Sequence, residues 1–547
     1  MRDNGAVKHV RLLTPLLLIA SGCGFLTTSV GLSDTPEPSA TFVRNEACDL
    51  PPMIVERIRR GSRVDVSEDI VVVPRGFNHL GSFEIVSHSG PRNYLQQIPL
   101  IFYGPGYVPS AGGVDRPVTL ASVYPTMGKL LGVPLDTRAE DPLDEALVKS
   151  DGTAPRLVVF VVWDGAGTNV LERWPDAWPR LRELALKGTY YPNATVGSSP
   201  SITPATHSTL GTGAFPDEHG VTGIQRRTSA AKVGVTFQQR NPASIEMSTF
   251  ADDIDLALDN EPVVGLLGWR SWHMGMLGHG SAIEGADRDE LGIIGFEQRI
   301  SGRRPEFVMP DYLREWPGLD RSLAEADASD GERDGRWRNH PLADDHDNPG
   351  WIRYQSNALL GMLEKGGYGS DDVPDLMFTN FKTTDRVGHL YNMDSREMEA
   401  VLRAQDIALG RMVDRLDQTV RDYVVVVTAD HGHTPSPART GAWAIHQREL
   451  EDDLDRRFDV SGPASLTQAT TASGLFINRP LMEELDVEEG QVVDFLRNYT
   501  IEDNWSGENL PPGYEDRGDE TVFSAAFSAS HLDEVAACAG SVNEERD

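Results

Sequence analysis

Uninterrupted apolar runs alternate with amphipathic stretches along most of this chain. Leu157–Trp163, Asp375–Phe381 and Tyr423–Thr428, joined by 98–103, 263–267 and the short 84–86, are rich in Val, Ile and Phe and lack polar alternation. Strands with that signature are covered on both faces, as in parallel sheets flanked by helices. The expected fold is therefore α/β: a three-layer sandwich with a mostly parallel central sheet and helices on both faces. Between the last two runs, Met398, Val401, Leu402, Leu409, Met412 and Leu416 recur at steps of three and four, which predicts an amphipathic helix over 395–419 with its methionines in the core. The segment 318–350 is too acidic and turn-rich for core and reads as a surface insertion, with His340 and His346 solvated rather than ligands.

The N-terminus breaks this pattern. Arg2, Lys8 and Arg11 precede an apolar run at 12–20 that is too short to span a bilayer, and Ala20, Ser21, Gly22 and Cys23 then resemble a lipobox. Residues 1–23 are expected to be a lipoprotein-type signal peptide with Cys23 the lipidated residue, an ordinary signal peptide being the alternative. Residues 24–48 then form a polar tether, and 49–547 one catalytic domain with insertions around 225–350 and 440–520. Such a protein is exported and held on the outer face of the cytoplasmic membrane by its lipid alone, or else secreted. In an oxidising compartment Cys48 and Cys538 read as a disulfide joining the two ends of the mature chain, with two free buried thiols as the alternative.

A formal net charge of −33 across 547 residues argues against duplex nucleic acid or anionic lipid as a surface partner, because both would be repelled. An anionic substrate would need local cations. Candidates to hold them sit where the apolar runs end: Asp164, then Asp385 with His389, then Asp430 with His431. Carboxylates and imidazoles gathered at the carboxyl ends of parallel strands build a metal site in the crevice where such sheets bind ligands. Between the first and second of these groups, Thr203 precedes Pro204, a residue suited to the first helical position, so Thr203 is expected as the N-cap with its hydroxyl beside free backbone amides. A phosphoryl group could dock there, and a metal would make the hydroxyl a nucleophile.

Taken in order, VVWDG, TPATHSTLGTG with AFPDEHG close behind, DRVGH and ADHGH resemble the alkaline phosphatase superfamily, and most of all its type I phosphodiesterase/nucleotide pyrophosphatase branch. The resemblance runs from about Pro155 to Pro435. It implies a small-molecule phosphate ester as substrate, Thr203 as nucleophile, and two divalent metal ions, Zn2+ by the mix of His and Asp ligands and Mn2+ otherwise. One ion would take Asp164, Thr203, Asp430 and His431; the other would take Asp385, His389 and one further histidine from the C-terminal part of the family's chain. Here that position is irregular. His531 is the C-terminal candidate, yet the family's usual ending looks to be carried by EIVSHSGPRNYLQQIPLIFYGPG and RPVTLASVYPTMGKLLGVPL near the N-terminus. The implied arrangement is a circular permutation with His88 as the third histidine and His531 as second choice. A Cys48–Cys538 bond would close the join.

The resemblance also departs at the phosphate. Ile224 stands where relatives carry an oxyanion-binding asparagine, leaving Gln225 or Arg226 as replacements. Arg270, His273 and His279 in GWRSWHMGMLGHGS, and His433 after the Asp-His pair, are candidates to line the substrate pocket. A sulfatase is excluded because Ser198 and Pro200 are followed by Ile202 where that signature needs Arg. A phosphate monoesterase of the same fold remains the enzymatic alternative, and a non-catalytic metal- or ligand-binding lipoprotein the alternative of another class. Oligomeric state is left open.

Overall fold

A ten-stranded sheet organises the computed structural model, which describes residues 46–81, 88–148, 153–237, 244–270, 273–295, 300–301, 304–342 and 346–540. Its central strands are β1 (Leu100–Tyr103), β2 (Leu157–Trp163), β3 (Val264–Gly268), β4 (Asp289–Ile294), β5 (Asp375–Phe381) and β6 (Tyr423–Thr428), in the spatial order β4-β3-β5-β2-β6-β1. From β4 to β6 every pairing is parallel. All residues of β2, β5 and β6 are buried, as runs without polar alternation require. Phe160 and Phe378 stack across neighbouring strands with ring centroids 4.9 Å apart.

The register levels the strand ends. Phe381 pairs with Trp163 and Thr428 with Val162, so the residues after β2, β5 and β6 leave the sheet at one edge. The strand at 98–103, which the uniform apolar signature placed among the buried parallel ones, is antiparallel: β1 starts with Leu100 opposite Thr428 and runs back along β6. Burial depends on covering layers and not on direction, which is why the sequence pattern carries no sign of the reversal. An antiparallel strand brings its N-terminal flank to the edge where its parallel neighbours bring their C-terminal flanks. The segment 88–99 therefore arrives beside Asp164, Asp385 and Asp430.

The helices of the chain include α1 (Thr203–Thr212), α2 (Phe250–Ala257), α3 (Thr383–Tyr391) and α4 (Arg396–Thr419). The last matches the expected amphipathic helix. Ser395 caps it by accepting from Met398 N at 3.2 Å, and Met398, Val401, Leu402, Leu409, Met412 and Leu416 are buried.

A second, four-stranded sheet pairs Ile70–Pro74 with Gly474–Ile477 and Phe523–Ser528, and has a hydrophobic core of its own that includes Trp443, Leu450, Leu475 and Phe523. Arg227 ties it to the hairpin Gln225–Ser229/Lys232–Val235, through Asp69 and, at 2.9 Å, Ile477 O. Cys48 and Cys538 form a disulfide, and the helices next to them, Pro52–Gly61 and Leu532–Cys538, share one core.

The expected insertion at 318–350 is mixed in character. Its acidic turns are exposed, but it contains the helix Leu319–Asp327, the hairpin Arg336–Trp337/His340–Pro341 and a buried Trp337. His346, expected in solvent, is only 1% exposed and stacks on Trp351 at 4.0 Å; the aromatic surface displaces water from the ring. His340 is half-buried against Tyr391. The leader, lipobox and most of the tether, like the run 84–86, lie outside the described residues, and no described helix is long and apolar enough to cross a membrane.

Candidate active site

Strand ends supply the carboxylates. Asp164 follows β2, Lys382 and Asp385 follow β5, and Asp430 with His431 follows β6, while α1 points its first residue, Thr203, at the same edge. Thr203 is the first helical residue and Ile202 the N-cap, one position earlier than the Thr-Pro pair alone implied; Pro204 accordingly occupies the second helical position. The hydroxyl still emerges at the helix start.

Lys382 joins these parts. Its buried Nζ lies 2.8 Å from Asp164 Oδ1, 2.9 Å from Asp385 Oδ2 and 3.0 Å from Thr203 Oγ1. Burial disfavours its charge, but Asp164 and Asp385 raise the ammonium's pKa above its ordinary value. Burial likewise opposes ionisation of Asp164, yet Lys382 holds that carboxyl well below the usual range. Asp430 goes the other way, pushed up by burial and by the negative Asp164, although its Oδ1 accepts from Gly165 N at 2.9 Å.

Further polar side chains fix the orientation of this group. Asn380 Nδ2 donates to Asp164 Oδ2 and to His207 Nε2, both at 2.9 Å. That leaves His207 Nδ1 as the protonated nitrogen, and it donates to Thr203 O at 2.9 Å, bracing the backbone of the candidate nucleophile. His273 is fully buried, its Nε2 3.6 Å from Asp164 Oδ2 and its Nδ1 accepting from Trp269 N and Arg270 N. It faces the carboxylate and not an open pocket.

Histidines crowd Asp385. His88 Nε2 is 3.1 Å and His389 Nε2 3.4 Å from Asp385 Oδ1. His88 stacks on His431 at 3.6 Å with planes 6° apart. Its loop is stitched to the one before α1, since Gln96 Nε2 donates to Gly90 O at 2.8 Å and to Ser198 O at 2.9 Å. The ligand-capable atoms of His88, Asp385 and His389 lie within 4.8 Å of one another, as do those of Asp164, Asp385 and His431. His531 belongs to neither group; it sits in the turn Ala529–His531 after the last strand of the second sheet.

The donors suit divalent ions. His431 donates Nδ1–H to Gly432 O at 3.0 Å, which leaves Nε2 with a lone pair facing the carboxylates. That nitrogen, Asp385 Oδ1 and Asp430 Oδ2 are buried without a hydrogen-bond partner among the described residues, a state worth about 1–3 kcal/mol per group if nothing satisfied them. His433 is also fully buried, with Nε2 3.9 Å from Asp385 Oδ1. A Cβ on Gly165 or Gly388 would meet its ring at 2.6 or 2.3 Å, so only glycine leaves room for it.

Other pocket candidates have different tasks. His279 spends both ring nitrogens on Asp252 (2.9 Å) and Ile245 O (3.0 Å), and so braces α2 instead of meeting substrate. Arg226 is paired with Glu246 at 3.2 Å on the hairpin that also carries Gln225. Lys382, Asn380 and His207 were not singled out from sequence. The available signal was position, since Asn380 and Lys382 flank the last residue of β5 and His207 lies one helical turn beyond Thr203.

Residues 158–527 match the type I phosphodiesterase/nucleotide pyrophosphatase family. The chain belongs to that family. The family is named for phosphodiesterases and nucleotide pyrophosphatases. Alkaline phosphatase PhoD of Zymomonas mobilis is 29% identical over 147 residues, covering 25% of this chain and 26% of that protein, so the match spans about a quarter of that relative's length. A pyrophosphatase/phosphodiesterase of Schizosaccharomyces pombe described as uncharacterized is 22% identical over 354 residues, covering 64% of this chain and 56% of that one. Among solved structures, wild-type alkaline phosphatase PafA is 15% identical, covers 68% of this chain and 84% of that chain, and gives a TM-score of 0.48.

Proposed function

We propose that this protein is an exported, metal-dependent hydrolase of small phosphate esters in which Thr203 is the nucleophile. The observation that carries the reading is the convergence on Lys382 Nζ of Thr203 Oγ1, Asp164 and Asp385, three groups from separate parts of the chain. Asp164, Thr203, Asp430 and His431 would hold one divalent ion, and Asp385, His389 and His88 the other. Zn2+ fits the His and Asp donors best, with Mn2+ the alternative. When bound, the ions supply positive charge beside the Thr203 hydroxyl and the phosphoryl oxygens.

The chain's own residues do the rest. Thr203 Oγ forms the bond to phosphorus as the ester oxygen departs with a proton; water then cleaves the phosphothreonine and restores the hydroxyl, so configuration at phosphorus is retained overall. His207 holds the Thr203 backbone, Asn380 and His273 orient Asp164, and Lys382 offers the fixed ammonium nearest the transferred group. With Ile224 in the place of the family's asparagine, Lys382 is the side chain best placed to meet a nonbridging oxygen. Replacement by methionine is expected to lower kcat/KM by about 100-fold while metal content stays unchanged, measured by steady-state kinetics alongside elemental analysis.

Export is supported by the Cys48–Cys538 disulfide, which suits an oxidising compartment. A circular permutation with His88 as third histidine is supported by its place against Asp385 and by the same disulfide, which joins the ends that an unpermuted order would connect directly.

Two substrate classes divide the relatives, since the matched family is named for diesters and pyrophosphates while PhoD is named an alkaline phosphatase. An extra fixed cation favours the more highly charged monoester, which makes that second reading specific. Assay of bis(p-nitrophenyl) phosphate against p-nitrophenyl phosphate separates them. Elemental analysis is expected to find two divalent ions per chain, lost together with activity on chelation. Asp430→Ala and Asp385→Ala should each deplete a different ion. A chelated, metal-free protein with full activity would refute the reading.

A further inference from the structure

We infer that Asp255, Asp287 and Asp289 form a second cation site, separate from the candidate active site and selective for Ca2+. The residues come from two elements. Asp255 lies near the end of α2, Asp289 opens β4, and Asp287 is in the loop leading to it. One carboxylate oxygen from each lies within 4.8 Å of the others.

Acidic clusters are common on a chain of this charge, but this one is largely out of water. Asp255 is 2% and Asp289 6% exposed; only Asp287 is open to solvent. Asp255 Oδ1 is buried without any donor among the described residues. No described lysine or arginine pairs with the three carboxylates. Arg288, between two of them in sequence, instead donates to Phe307 O at 2.6 Å. Nearby, Asn260 bonds through its amide nitrogen to Gly285 O (3.0 Å), on the loop that leads to Asp287, while its own Oδ1 is buried without a donor. That is a second oxygen beside the loop with nothing to accept from.

Left alone, the group is costly. Burial first, then Asp287 and Asp252, push Asp255 up to about 7, and burial with the same kind of repulsion raises Asp289 well above the carboxylate range. A bound cation removes both penalties. The donors are all oxygen, with no imidazole or thiolate to favour zinc or copper, so a hard ion is indicated. A cluster of three protein carboxylates suits Ca2+, which takes many oxygen ligands in flexible geometry, better than Mg2+, which dehydrates reluctantly and usually binds through one or two carboxylates. The ion would fasten α2 to the edge of the parallel strands. α2 in turn packs beneath the core through Phe250, whose ring is 4.9 Å from Phe160.

The test uses the full-length mature protein with its catalytic metal loaded. Titration with CaCl2, followed by calorimetry and thermal melting, is expected to show one saturable site and a rise in Tm of about 3 °C at 100-fold excess over Kd. Asp289→Asn should weaken Ca2+ at least tenfold and remove most of that rise. Asp287→Asn, at an exposed position that folding tolerates, should do the same if the buried variant is poorly produced. Hydrolysis of p-nitrophenyl phosphate esters should stay within twofold of wild type in both. Absence of saturable Ca2+ binding in the wild type, or unchanged binding in both variants, would overturn the site. Displacement of Ca2+ by an equal concentration of Mg2+ would overturn its selectivity.

Discussion

Thr203→Ala is expected to reduce hydrolysis by at least 1,000-fold, with the protein folded and its metals retained. The side chain that is lost is small and sits at a helix start, where alanine keeps the backbone path and Pro204 still fixes the first turn. The His207 contact is to the Thr203 carbonyl, which the substitution leaves in place. What disappears is the hydroxyl 3.0 Å from Lys382 Nζ. If turnover remains above about a tenth of wild type, the nucleophile lies elsewhere. Neighbouring hydroxyls are poor substitutes, because Thr206 Oγ1 donates back to Ile202 O and Thr203 O, and Ser201 Oγ is engaged with His88 O and Gly90 O. Circular dichroism and elemental analysis on the same sample separate loss of chemistry from loss of structure.

The second large effect concerns His88. His88→Ala should lower activity by about 100-fold or more and deplete one divalent ion, because it removes a donor 3.1 Å from Asp385 Oδ1 and the ring stacked on His431. His531→Ala, in the turn beside the disulfide-bearing helix, should change activity by less than about threefold. The comparison matters more than either value. If His531→Ala proves the more damaging, the N-terminal segment only packs against the site and the permuted reading falls.

Much of the way the candidate site is assembled was legible in sequence because it depends on local rules. β2, β5 and β6 begin and end where their apolar runs do, and strand ends of a parallel sheet deliver whatever comes after them to one crevice. α4 was legible from its spacing for the same reason. The rest depends on meetings between distant parts of the chain. Lys382 reads as an ordinary solvated lysine until Asp164, 218 positions away, and Asp385 are seen to enclose it. The solvation expected of His346 failed because nothing in its acidic surroundings announces Trp351 as a stacking partner. The direction of β1 was invisible too, although that reversal is what brings His88 to the edge.

Lys382 also bears on how the protein matures. If the chain is exported and takes up metal as proposed, three buried carboxylates without a counter-charge would oppose folding until the ions arrived. Here one ammonium is covalently attached between two of them, and the third, Asp430, has its pKa raised. The polypeptide thus brings a counter-ion of its own, so that folding need not wait for metal.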